Sequence, residues 1–147
     1  MKTLAILLLL VHLIGFALSV GAATVKLFLV VRLNKHPEFF TQYTREVRLI
    51  TKQIITGIIL LILSGIGWMV WDHPFTTLLI IKLLIVAIVL CIGPIIDNVY
   101  EPRLVKASPL PNEVPSKDFV HLLKQYMRVE FFATFLMYAA TVIGVFL

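Results

Sequence analysis

Two ionisable side chains, His12 and Lys82, fall inside long apolar runs of the sequence, VHLIGFALSV and LIIKLLIVAI. Ionisable residues within membrane-spanning helices are costly, and they usually face a bundle interior or mark a functional site. If the two runs begin spanning helices near residues 4 and 75, both side chains lie roughly 10–12 Å from the same membrane surface. We therefore expect His12 and Lys82 to face each other on neighbouring helices, as one polar layer.

The chemistry of this layer depends on His12. A neutral imidazole is the commonest metal ligand in proteins and an axial ligand for haem. Gly15 and Ser19 follow on the same helix face, where small residues leave room for a porphyrin face. Lys82 could pair with a propionate or, once desolvated, act as a ligand or proton carrier. The predicted site therefore has His12 as metal ligand, Gly15, Ser19 and Lys82 as further cofactor contacts, and Lys82 as the catalytic group.

Simpler interpretations of the same residues stay open. His12 could form a hydrogen bond between helices without any chemistry, and glycines commonly do no more than let helices approach. A copper site is less well supported than a haem site, because no methionine, cysteine or second histidine lies at ligand spacing from His12. The sequence has no phosphate-binding loop, zinc spacing or dinucleotide motif, which disfavours a hydrolase.

A second polar layer is predicted at the other ends of the helices. Lys26, Asp97 and Glu130 fall near the ends of three apolar segments, on the side of the basic loops. The two carboxylates could offset the charge of the lysine inside the bundle. In the alternative interpretation, these long side chains extend to the lipid headgroups and have no common site.

The composition indicates an integral membrane protein. Of the 147 residues, 60% are hydrophobic and 14% are charged, and the mean hydropathy is +1.00. A soluble domain averages about 25% charged residues, and so short a chain cannot bury this many apolar side chains in water. Cys91 is the single cysteine, which excludes a disulfide scaffold within the chain.

Four apolar segments are long enough to span a membrane, which takes about 20 residues of helix. They cover residues 4–31, 53–71, 75–96 and 129–147. The first run continues past Ala23 through KLFLVV, so we expect a retained helix rather than a cleaved signal peptide. The predicted fold is all-α, an integral membrane four-helix bundle of one domain.

The basic residues predict the orientation of this bundle. Residues 32–52 and 97–128 form the predicted loops and hold five lysines and arginines each, whereas the link between the second and third segments holds none. The positive-inside rule places both loops in the cytoplasm and both termini outside, in a multi-pass protein of the bacterial inner (plasma) membrane. The net charge of +5 then matches anionic lipid, and no nucleic-acid partner is needed.

The two basic loops have different local patterns. Residues 98–116 carry four prolines and are predicted to be extended coil. Ser116 then caps an amphipathic segment that leads into the fourth spanning helix. Pro37 is predicted to open a similar helical lead-in to the second. Such segments commonly lie at the membrane interface without carrying chemistry.

The chain resembles a known superfamily of small membrane proteins. The resemblance rests on the early histidine in VHLIGFALSVGA, a basic loop, the helix TGIILLILSGIGW and the lysine in LIIKLLIVAIVL. It covers nearly the whole length. The superfamily includes HemJ-type protoporphyrinogen oxidases, copper-resistance D domain proteins and predicted integral membrane proteins of unknown function, and the chain is most similar to the last. In the HemJ-type enzymes, an early histidine and a third-helix lysine are associated with haem, which implies roles for His12 and Lys82.

These observations favour a haem-associated or redox-type membrane protein that binds haem b, with His12 as axial ligand and Lys82 as its electrostatic partner. Whether the protein is an enzyme stays open. The alternative is a non-enzymatic factor that transports copper or assists the assembly of a membrane complex. The expected partners are the lipid bilayer, a porphyrin ligand, and a second copy or a larger membrane complex.

Overall fold

The computed structural model describes residues 2–72, 76–109 and 114–147, and these ranges contain helices and turns but no strand. The predicted all-α class is confirmed. Within these ranges, four stretches of helix are long and apolar enough to cross a membrane, as the sequence predicts. The helices are α1 (Lys2–Lys35), α2 (Phe40–Asp72), α3 (Thr77–Ile95), the short α4 (Glu101–Ala107) and α5 (Lys117–Val145).

The predicted loop at residues 32–52 is mostly helical, which corrects the boundaries drawn from hydropathy. The first helix continues to Lys35, and a 3₁₀ turn at Pro37–Phe39 leads directly into α2. Pro37 lies at the start of this turn, where its missing N–H removes no hydrogen bond, so the predicted lead-in is confirmed. Hydropathy missed these segments because they are amphipathic helices that continue beyond the apolar span.

The second predicted loop also contains more helix than expected. The chain stays helical as far as Ala107, so residues 98–107 are not the extended coil that their prolines predicted. The reason is that Pro102 falls in the first turn of α4, where proline is tolerated. The lead-in to the last spanning helix is confirmed, because the Ser116 hydroxyl accepts a hydrogen bond from the Phe119 amide at 3.1 Å.

A proline changes the helix geometry between α3 and α4. Pro94 lies inside α3 and cannot donate a backbone hydrogen bond to the preceding turn. The chain continues as a π-helical turn at Ile96–Tyr100 and then as α4. The side-chain amide of Asn98 donates to the Pro94 carbonyl at 2.9 Å within this segment. Single π-helical turns of this kind are frequently found at functional sites.

The helices pack in the order α2, α1, α5 and α3. The first helix packs against α2 along much of its length and against α5, whereas α3 packs mainly against α5. The prediction that the first and third helices are neighbours is therefore wrong. The beginnings of α1 and α3 meet the ends of α2 and α5 at what we call the His12 end, and the opposite end is the Lys26 end.

Glycines bring α1 and α2 into close contact. A Cβ atom at Gly15 would lie 2.9 Å from the Gly57 carbonyl oxygen, and one at Gly57 would overlap the backbone and side chain of Ser19. Both approaches are closer than normal van der Waals contact, so only glycine fits at these two positions. Small residues at a helix crossing allow this approach of backbones in membrane proteins.

The best-buried part of the protein lies at the Lys26 end. An apolar and aromatic cluster, which we call the aromatic core, joins residues from every helix except α3. It consists of Val30, Leu33, Phe40, Tyr43, Val47, Ile96, Leu104, Phe119, Leu123 and Tyr126. In contrast, many apolar side chains along the four long helices point outwards, including Phe28, which is 71% exposed. Such an apolar exterior is suited to lipid.

Candidate functional site

A cluster of charges, which we call the Lys26 cluster, lies against Tyr126 of the aromatic core. The Lys26 ammonium lies 2.8 Å from Glu130 Oε1, 2.9 Å from Glu101 Oε1 and 3.4 Å from Asp97 Oδ1. Lys26 is only 3% exposed, and Glu130 is similarly buried. The Lys26 side chain therefore does not extend to lipid headgroups, and the three carboxylates enclose it inside the bundle.

The fold around Pro94 places two of these carboxylates. Asp97 belongs to the π-helical turn, and Glu101 is the first residue of α4, four positions later. Residues four apart lie on one helix face, so both side chains point towards α1. Glu130 comes from the opposite side, on α5. The cluster is thus formed by three separate segments and depends on their packing.

Two tyrosine hydroxyls extend the cluster. Tyr126 donates a hydrogen bond to Glu101 Oε1 at 3.1 Å. The Tyr43 and Tyr126 hydroxyl oxygens are 2.6 Å apart. Because the Tyr126 hydrogen is directed to Glu101, Tyr43 donates to Tyr126. A hydrogen-bonded chain therefore runs from Tyr43 through Tyr126 to Glu101.

The charges of the cluster do not balance. Three ionised carboxylates and one ammonium would leave two excess negative charges in a buried site. Like charges within a few ångströms of each other disfavour simultaneous ionisation. Among the residues that the structure describes, no group of three acidic, histidine or cysteine side chains is arranged to hold a metal ion. The ammonium of Lys26 occupies the centre of the carboxylates instead.

The sequence predicted part of this cluster. The ion pairs of Lys26 with Asp97 and Glu130 agree with the predicted second polar layer. The sequence pattern does not identify Glu101, Tyr43 and Tyr126, because they lie between the apolar segments, in the predicted loops 32–52 and 97–128. The spacing of Asp97 and Glu101 was an available signal, since it matches one helical turn, but the intervening residues and Pro102 favoured coil.

The second candidate site lies at the opposite end, around His12. The imidazole Nδ1 of His12 lies 2.8 Å from the Ser64 hydroxyl oxygen on α2. That hydroxyl also lies 2.7 Å from the Leu60 carbonyl oxygen, to which it donates. Both bonds form together only if Nδ1 carries the hydrogen. The Nε2 atom of a neutral His12 then keeps its lone pair, and this is the tautomer of a histidine that binds a metal through Nε2.

Lys82 lies at the same end of the bundle as His12, within electrostatic range of the imidazole. A Cβ atom at Gly144 would lie 2.8 Å from Lys82 Nζ, so the ammonium lies against α5. Within residues 2–72, 76–109 and 114–147, Lys82 forms no hydrogen bond or ion pair. The structure thus brings the two predicted residues to the same end of the bundle although their helices do not pack together.

Gly15 and Ser19 do not leave the open porphyrin face that the sequence predicted. The α2 backbone at Gly57 fills the space beside both residues. The Ser19 side chain is fully buried and donates to the Gly15 carbonyl at 2.7 Å, which satisfies its hydroxyl within α1. The small residues therefore serve the crossing of α1 with α2. Of the predicted site, His12 and Lys82 are the residues whose side chains do not take part in this crossing, and both lie at the His12 end.

Comparisons with protein-family models, curated proteins and solved structures give no match to this chain. The resemblance to the HemJ-type superfamily therefore stays a prediction, and the two polar sites are the features that bear on function.

Proposed function

We propose that the protein is a non-enzymatic membrane transport protein that takes up and moves protons. It would lie in the plasma membrane with both termini outside and the Lys26 end at the cytoplasmic surface, following the distribution of basic residues. The proposal rests mainly on one observation, the enclosure of a single buried ammonium by three carboxylates.

A proton is the positive charge best suited to balance this cluster. A metal ion would need the position that the Lys26 ammonium occupies. A proton needs only one carboxylate oxygen, and the part-exposed Asp97 and Glu101 connect the cluster to the surface. The Tyr43–Tyr126–Glu101 chain supplies a second hydrogen-bonded connection.

Polar groups continue from this cluster towards the His12 end. Glu130, Thr134, Thr141 and Gly144 lie on one face of α5, and Lys82 lies against the last of them. The Thr134 hydroxyl is buried and has no hydrogen-bond partner among the described residues. Between the two sites, Val20, Ala23 and Met137 form a buried apolar cluster. This barrier supports slow, transporter-like movement of protons rather than an open channel.

The proton occupancy of the cluster is directly testable. We expect infrared spectra of the purified wild-type protein at neutral pH to show the carbonyl band of a protonated carboxylic acid. The Glu130→Gln variant should lack this band, because it carries one negative charge fewer and needs no bound proton. Glu38→Gln is the matched control, since the Glu38 carboxylate is largely exposed, and it should keep the band. Absence of the band from the wild-type protein would contradict proton binding.

Haem binding at His12 is the second candidate function. It is supported by the hydrogen bond from His12 Nδ1 to Ser64, which leaves the Nε2 lone pair available to an axial metal. Lys82 could offset a propionate charge beside it. The α2 backbone fills the space beside Gly15 and Ser19, so His12 and Lys82 are the residues of the predicted site that would hold a haem group. Haem would supply electron transfer, and the protein would supply the ligand and the positive charge.

An absorbance spectrum separates the two candidates. If haem binds, protein expressed with excess haem should show a Soret band that His12→Ala abolishes. Ser64→Ala should shift or weaken the band, because it removes the group that orients the imidazole. His121→Ala is the control, since His121 is an exposed residue at the opposite end, and it should keep the spectrum. A colourless wild-type protein would exclude the haem-binding function.

A further inference from the structure

A cavity of about 390 Å³ opens beside the Lys26 cluster, between the first turns of α2 and the segment formed by the π-helical turn and α4. Its volume is within the range of small-molecule sites. The walls combine aromatic side chains with charges of both signs. The residues that matter for recognition are Phe40, Tyr43, Arg48, Asp97, Glu101 and Lys106.

The acidic wall has acceptor atoms available. Asp97 and Glu101 direct Oδ1 and Oε1 to Lys26, and their side chains are 28% and 20% exposed. In the described parts of the chain, Asp97 Oδ2 and Glu101 Oε2 have no hydrogen-bond partner. Two carboxylates that line one wall of a cavity suit a donor with several N–H groups, such as a primary ammonium.

The basic wall has donors available. Arg48 and Lys106 are exposed and take part in no ion pair with any described residue. They come from α2 and α4, on the two sides of the cavity. Arginine and lysine together are suited to a phosphate group, since the guanidinium binds two oxygens and the ammonium adds a point charge.

From this arrangement we propose that the cavity binds a phosphoethanolamine group, with its ammonium at Asp97 and Glu101 and its phosphate at Arg48 and Lys106. Zwitterionic lipid headgroups and free phosphoethanolamine share this chemistry. The surroundings favour the lipid, because the cavity adjoins the end of the apolar helices and Val105 at its edge is exposed. The ammonium would share Asp97 and Glu101 with the Lys26 cluster, whereas the phosphate contacts Arg48 and Lys106 lie outside that cluster and test lipid binding separately from proton movement.

Competitive lipid binding tests this proposal. The purified full-length protein is incubated with equal amounts of phosphatidylethanolamine, phosphatidylcholine and phosphatidylglycerol, and the retained lipids are measured by native mass spectrometry. We expect a preference for phosphatidylethanolamine, because phosphatidylcholine has no N–H donor and phosphatidylglycerol has no cation. The double variant Arg48→Gln/Lys106→Gln should bind phosphatidylethanolamine about tenfold more weakly, since two charge-assisted contacts are lost.

The matched control is Arg45→Gln/Arg103→Gln, which removes the same charge from exposed positions of α2 and α4 outside the cavity lining. It should bind as the wild type does. Asp97→Asn should reduce the preference for phosphatidylethanolamine over phosphatidylcholine. Displacement of the lipid by free phosphoethanolamine would identify the soluble compound as an equivalent ligand of the same site. Equal binding of the three lipids, or equal losses in the two double variants, would overturn the proposal.

Discussion

Replacing Lys26 by methionine should lower the free energy of unfolding by about 3–5 kcal/mol, the cost typical of removing one partner from a buried ionic group. Methionine retains an unbranched apolar side chain but leaves Asp97, Glu101 and Glu130 facing each other without a cation. The measurement is thermal unfolding in detergent, followed by tryptophan fluorescence. Lys35→Met is the matched control, because Lys35 is exposed at the end of the same helix, and it should change stability by less than about 0.5 kcal/mol.

A second change separates charge repulsion from lost packing. Adding Glu130→Leu to Lys26→Met should recover part of the lost stability, because it removes one of the repelling carboxylates and fills its space with an apolar side chain. If Lys26→Met were as stable as Lys35→Met, the three ion pairs would have no structural importance. If the double variant were much less stable than Lys26→Met, packing rather than charge would explain the effect.

The elements of the fold could be predicted because they depend on local sequence patterns. Long apolar runs indicate spanning helices, and the positions of Pro37 and Ser116 indicate where the helical lead-ins begin. The order of packing could not be predicted in this way. The equal depth of His12 and Lys82 predicts that α1 and α3 are adjacent. Two helices that lie on either side of α5 can also carry residues at equal depth, and this is the arrangement of α1 and α3.

The stripe of small residues on α1 illustrates a related ambiguity. Small residues leave room for a ligand or for another helix, and the sequence of α1 is the same in both cases. The sequence of α2 resolves this ambiguity, because Gly57 has no side chain at the level of Gly15 and Ser19 on α1. Two facing glycines indicate a helix crossing, and this comparison between helices was more informative than the pattern within α1.

Only part of the Lys26 cluster could be predicted from the sequence. Lys26, Asp97 and Glu130 were identifiable because charges near apolar segments are conspicuous. Glu101 was not, because its position depends on the π-helical turn after Pro94, and the proline-rich composition of the following residues indicated coil. Whether such groups extend to the surface or meet in the interior is decided by tertiary packing, and here Lys26 and Glu130 are buried beside the aromatic core.

The proposed transport function predicts a second large effect, the loss of proton movement in Glu130→Gln. Glutamine has nearly the same shape as glutamate and keeps a hydrogen-bonding oxygen near Lys26, but it cannot bind and release a proton. Asp97, Glu101 and Lys26 then carry one net negative charge, as the wild-type cluster does with one bound proton, so the variant needs no proton. Glu38→Gln makes the same chemical change at an exposed position and should leave transport unaffected.

The most direct test is proton uptake by liposomes that contain the purified protein and a pH-sensitive dye, after a membrane potential is imposed. We expect the wild type and Glu38→Gln to acidify the interior faster than protein-free liposomes, and Glu130→Gln to match the protein-free rate. All variants should first be shown to be folded and equally incorporated. Wild-type liposomes that behave like protein-free liposomes, or Glu130→Gln liposomes that acidify at the wild-type rate, would contradict the proposed role of the Lys26 cluster.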